Sequence, residues 1–197
     1  MNNIGIKGYL RDIEFSHDIG GVEYNKAKII SPGVNGKEDD LFNIVYKKFS
    51  NRYKEGDFIE FKGNLRSYSI KEDNGKSSVQ IYVFTYFDLP DLTPNHVRID
   101  GRICKIGELQ ETHYGKKYIH FTLANNIITP TAKLNSYIPC TAFDEVAEQL
   151  SHNKVNDFID LWGTFHSHNF KKYLPNNIVE YRVAHEVILD NYLQKTV

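Results

Sequence analysis

Apolar and polar residues alternate with a period of two along most of the chain. The clearest case is 95–124. Val97, Ile99 and Ile103 alternate with Arg98, Asp100 and Arg102, and Gly101 takes the place of an inward side chain. After a turn at Tyr114-Gly115-Lys116, Ile119, Phe121 and Leu123 alternate with Tyr118, His120 and Thr122. A period of two predicts strands with one buried and one available face. A glycine inside such a strand marks a bend or a close approach. The same pattern predicts strands over 3–11, 22–30, 41–46, 58–70 and 78–87, and again over 97–104, 117–125, 137–143, 158–170 and 178–188. Residues 144–152, with Val146, Ala147 and Leu150 on one side, predict a helix; 47–54 predicts one or two helical turns. The stretches 31–40, 71–76, 126–135 and 173–177 are polar and read as loops or hairpin turns.

The two lists of strands have the same order and similar spacing. Residues 57–65, DFIEFKGNL, lie over 157–165, DFIDLWGTF; Gly8 pairs with Gly101, Gly21 with Gly115, and Tyr46 with Phe143. A period this long means two domains rather than a solenoid. The expected division is 1–90, a proline-stiffened linker at 91–94, and 95–197. Five strands with a short helix between the third and fourth is the order of the oligonucleotide/oligosaccharide-binding (OB) fold. The expected architecture is all-β: two tandem five-stranded OB-fold barrels, each with a short helix between strands three and four.

Composition narrows the role. Lys+Arg 24 against Asp+Glu 25 gives a net charge of -1, which excludes a protein that coats nucleic acid by charge alone. No long apolar run opens the chain, so no signal peptide is expected, and no stretch is long enough to span a membrane. Cys104 and Cys140 make no disulfide framework and fit a reducing cytoplasm. There is no nucleophile elbow, phosphate-cradling glycine loop or HExxH, so no enzyme is expected. His166 and His168 share a strand face but lack a third ligand, so neither a metal nor any other cofactor is expected.

Several segments together resemble the bacterial single-stranded-DNA-binding proteins. They are NHVRIDGRI, the Gly115-Lys116 turn, HFTLA, YIPCTAFDEVAEQL, DFIDLWGTF and VAHEVIL in the second half, and more loosely NNIGIKGYL and EGDFIEFKGNL in the first. The resemblance implies sequence-tolerant binding of single-stranded DNA in replication, recombination or repair. Most of that family carry one barrel per chain and assemble four by oligomerising. Two fused barrels suggest a homodimer with four, or a phage, plasmid or mobile-element form. The family usually ends in an acidic tail that recruits partners; a chain ending NYLQKTV is expected to lack that device.

Binding a strand without reading its sequence needs cations along the phosphates and flat rings for the bases. On outward parity, the candidates in the first half are Tyr24, Lys26, Lys28, Tyr46, Arg66 and Tyr68. In the second they are Arg102, Tyr118, His120, Tyr137, Phe143, Trp162, His166, His168, Phe170 and Lys171. His166, His168 and Phe170 match by position a basic, basic, aromatic stripe of the family, and Tyr137 and Phe143 match positions where it stacks bases. The second half is expected to dominate stacking and the first to supply lysine. The rival reading is an OB-fold accessory or assembly protein with weak or no DNA binding, favoured by histidines where arginines are expected.

Overall fold

The alternation over the first strand puts Ile4, Ile6 and Leu10 wholly inside and Lys7, Tyr9 and Arg11 outside. The computed structural model describes residues 1–197 except 34–36, 49–51, 72–76, 89–92, 94, 129–132, 174–177 and 196–197. It also leaves aside the side chains of 77, 78, 86–88 and 128. The first half contains β1 (Asn2–Ile19), β2 (Val22–Ser31), β3 (Asp40–Lys47), β4 (Phe58–Lys71) and β5 (Ser77–Asp88). The second contains β6 (His96–Ile106), a two-residue β7 (Gln110–Glu111), β8 (Lys117–Ile128), β9 (Lys133–Phe143), α1 (Asp144–Leu150), β10 (Phe158–Tyr173) and β11 (Val179–Lys195).

The pairings close a ring in each half. β1 pairs with β2 and β4, β2 with β3, β3 with β5 in parallel, and β5 with β4. β6, β8, β9, β11 and β10 repeat this circuit, with β9 and β11 as the parallel pair. Close approach at matching places needs matching glycines. A Cβ on Gly63 would lie 2.6 Å from the Phe84 carbonyl oxygen, and one on Gly163 would press on the Ile188 carbonyl in the same way. Gly8 and Gly101 stand against the carbonyls of Ile30 and Ala124.

The two rings share a seam. β1 runs antiparallel to β6, with Asn2 opposite Ile99 and Ile4 opposite Val97, so all strands belong to one sheet. Phe42 of β3 stacks on Phe165 of β10 with ring centroids 4.7 Å apart, and neither is exposed. Buried polar groups line the same seam. Asn2 donates to Asn125 at 2.9 Å, and the Ser31 hydroxyl donates to Asn95 at 3.2 Å.

Three expectations change, and a fourth falls outside the description. α1 is the one helix among the described residues: the described part of 47–54 holds none, and 49–51 lie outside the description. The expected linker falls on residues that are, Thr93 apart, also outside it. β1 and β11 run well past their expected ends: β1 continues as one arm of a hairpin with β2, and β11 continues beyond Ile188 along the start of β10, pairing Leu189–Lys195 with Phe158–Gly163. The expected loop at 126–135 is shorter, since β8 runs on to Ile128 and β9 starts at Lys133.

Candidate nucleic-acid interface

Residues of β1, β2, β3, β4 and β5 line a groove of about 650 Å³. Lys26, Lys28, Arg66, Tyr68, Tyr82 and Phe84 contribute its cations and rings. The Arg66 guanidinium carbon lies 3.9 Å from the Phe84 ring centre, and Arg66 Nε is buried with no hydrogen-bond partner. Tyr24 leans on Phe84 at 5.5 Å and stacks on His17 at 5.0 Å. Tyr68 meets Tyr82 edge-on at 5.5 Å and donates to Gln80 at 2.7 Å; burial pushes its hydroxyl pKa up. Both lysines are paired: Lys26 with Glu14 at 2.9 Å and Lys28 with Asp12 at 2.7 Å. The hydrogen bond to Glu14 raises the Lys26 pKa.

Strand register identifies the equivalent face of the second half. Lys26 lies opposite Val45 as His120 lies opposite Thr141. Arg66 lies opposite Tyr82 as His166 lies opposite Glu186. His120 therefore stands where Lys26 stands, His166 for Arg66 and Glu186 for Tyr82. On this face Tyr118 contacts His120 at 5.3 Å and Phe143 at 6.4 Å, with Lys116 Nζ 4.3 Å from the centre of the Phe143 ring. His120 is hydrogen-bonded to Thr141 at 2.7 Å, Thr141 donates to Glu186, and His168 lies 3.5 Å from the same carboxylate. This face holds fewer rings and a carboxylate at its centre.

The remaining sequence candidates lie elsewhere. Tyr46 is a correction: it is buried at 3% exposure, packed against Tyr53 and Phe61. Ile44 pairs with Val83 as Cys140 does with Val187, so Tyr46 matches Ala142, and Lys47 takes the place of Phe143. Arg102 donates to the Asn156 carbonyl at 2.8 Å beside Phe158, at the far end of β10 from His168. Trp162 lies under Arg98 at 4.8 Å, near the seam. Arg98 forks onto Asp160, whose side chain is 2% exposed and which also takes Lys195 at 3.2 Å. Burial pushes the Asp160 pKa up, but the hydrogen bonds from Arg98 and Lys195 outweigh it and hold it below the usual carboxylate range. Tyr137 is half-exposed and stands about 20 Å along β9 from Phe143. Its backbone N–H donates to the Ser67 hydroxyl. Phe170 and Lys171 lie on the exposed β10–β11 arm, Lys171 5.6 Å from the Tyr181 ring. His166 faces Asp40 across the seam at 3.2 Å.

Compared with known structures, the chain matches the single-stranded DNA binding protein from Thermus aquaticus, with a TM-score of 0.73 at 16% identity, over 100% of this chain and 94% of that one. The chain shares that protein's fold. A deletion mutant of the Thermus aquaticus protein matches with a TM-score of 0.74 at 15% identity, over 100% and 95% of the two chains. No protein-family model and no curated protein matches the sequence. At this identity the likeness fixes the course of the backbone and leaves the two faces to be read from their own side chains.

Tyr82 and Phe84 are the groove residues that the sequence pattern did not single out. Their signal was the parity of β5, where Ile81, Val83 and Thr85 are buried between them. Among the described residues, no group of three or more His, Cys, Asp or Glu is placed to hold a metal ion. Among the described residues, no helix is long and apolar enough to cross a membrane.

Proposed function

We propose that the chain is a pair of OB-fold barrels in tandem, spanning 1–90 and 95–197, that binds single-stranded DNA without regard to sequence and performs no catalysis. The observation that carries this reading is the first-half groove, where four rings and three cations surround one open face. Each base stacked on such a ring contributes about 1–3 kcal/mol, enough to outweigh a net charge near zero. The backbone likeness to a single-stranded DNA binding protein supports the same reading. Stacked bases are kept from pairing, which suits replication, recombination or transfer of mobile DNA. A homodimer would bring four barrels together, each covering about 4–16 nucleotides.

The test is a titration with fluorescent oligo(dT) followed by anisotropy and intrinsic fluorescence. Binding at low salt that weakens with a slope of about -0.7 per neutralised phosphate is expected. No binding at low salt overturns the reading. One observation favours a second reading, an accessory or assembly role with weak DNA binding. Glu186 occupies the place of a ring on the second face. Under it the second half binds a protein, and truncating Tyr118 leaves DNA affinity unchanged.

A further inference from the structure

β1 does not pass straight along β2. Arg11 pairs with Lys28, but the next pair is Glu14 with Lys26, so β1 carries one extra residue. Such a bulge re-aims the side chains beyond it. Asp12 sits in it at φ 53, a left-handed backbone that a non-glycine residue seldom adopts. Ile13 turns to pack on the core, and its N–H donates to Glu55 at 2.9 Å. The result is that Asp12 and Glu14 both face outward, each against one lysine of β2.

These pairs are solvent-exposed, and exposed ion pairs contribute little to stability. Stability therefore does not account for the arrangement. Lys26 and Lys28 stand about 7 Å apart along β2, so the bulge holds two anions side by side on the two lysines. Both carboxylates line the groove that holds Tyr68, Tyr82 and Phe84. The second half has the bulge without the guard: Cys104 and Lys105 occupy it, and β8 offers Thr122 and His120 where β2 offers the lysines.

We propose that Asp12 and Glu14 stand in for two backbone phosphates in the unbound protein and are displaced when a single strand enters the groove. This rests on the strand-binding reading above. Each lysine exchanges a carboxylate for a phosphate, and each released carboxylate gathers a counterion, so net counterion release is smaller than two unpaired lysines would give. A polyanion without bases gains no stacking to offset the exchange. The guard therefore selects strands that bring bases with their phosphates.

The experiment compares the parent chain with D12N/E14Q, titrating labelled oligo(dT) at several salt concentrations with inorganic polyphosphate as competitor. The variant should bind oligo(dT) about ten-fold more tightly at low salt. Its salt slope should be steeper by up to about 1.4, from 0.7 for each of two phosphates. Polyphosphate should compete better against it. A K26M/K28M background separates the guard from a plain change of charge: there the same two substitutions should give a much smaller gain. E14Q alone leaves the bulge backbone untouched and should give about half the effect. Unchanged affinity and slope, weaker binding, or an equal gain with and without the lysines each overturns the guard. If the parent binds no oligo(dT) at all, the strand-binding reading fails first and the guard with it.

Discussion

The backbone N–H of Leu41 donates to the Ser167 hydroxyl at 2.8 Å, joining β3 of the first half to β10 of the second. Its mate is the Tyr137 N–H on Ser67 at 2.7 Å, from β9 to β4. Register makes these the same contact made twice, since Leu41 corresponds to Tyr137 and Ser67 to Ser167. Such reciprocity is the mark of an isologous interface, here within one chain. Phe42 and Phe165 lie in the same seam, so the core is continuous. The chain should unfold in a single calorimetric transition. Phe42→Ala should lower stability by about 3–5 kcal/mol, as a cavity under a buried ring does. Two separated transitions in the parent would contradict this.

Truncating rings should rank the two faces. Tyr68→Ala and Phe84→Ala should each cost about 1–3 kcal/mol of oligo(dT) affinity. Tyr118→Ala should cost less, because its face has fewer neighbouring rings. Tyr46→Phe should leave affinity within two-fold, since its ring is in the core. Equal losses from Phe84 and Tyr118 would show that the faces contribute alike.

Arg66 combines a charge with a flat group over Phe84. Arg66→Met should weaken binding and also flatten the salt slope by about 0.7. Weaker binding with an unchanged slope would mean that Arg66 only supports the Phe84 ring.

The seam should sense acid. His185 is buried against Phe42 and Phe165 and donates to the Leu41 carbonyl at 2.8 Å. Burial holds its pKa below the ordinary 6.5, with Asp40 opposing that shift and His168 adding to it. Below about pH 6.5 the unfolded chain takes up a proton that the folded chain still refuses. Stability should therefore fall as pH drops from 7 through that range, until the lowered folded value is reached. Melting temperatures between pH 7.5 and 5 measure this, and His185→Gln should flatten this part of the curve.

Much of the fold was legible because polar and apolar residues contrast. The inward set Ile4, Ile6 and Leu10 and the set Val97, Ile99 and Ile103 are buried as the alternation requires. The site was less legible where that contrast fails. In β5 the inward Ile81 and Val83 and the outward Tyr82 and Phe84 are all apolar or aromatic, so the parity is there but no polar contrast marks which face is outward. The repeat in the sequence sets Tyr46 against Phe143, but the parallel pairings of β3 with β5 and of β9 with β11 shift the match by one residue and so reverse the face. The bulge at Asp12 was hidden for a different reason. Asp12, Ile13 and Glu14 carry no glycine to announce it, and its register depends on β2.

The antiparallel meeting of β1 and β6 has a consequence for direction. Half a turn about an axis reverses every vector lying across that axis, and a nucleic-acid strand is a vector, with a 5′ and a 3′ end. If both faces hold a strand in the same chemical sense, a single strand cannot cross them in a straight line. Under that condition it would go out over one face and come back over the other, with a bend between them.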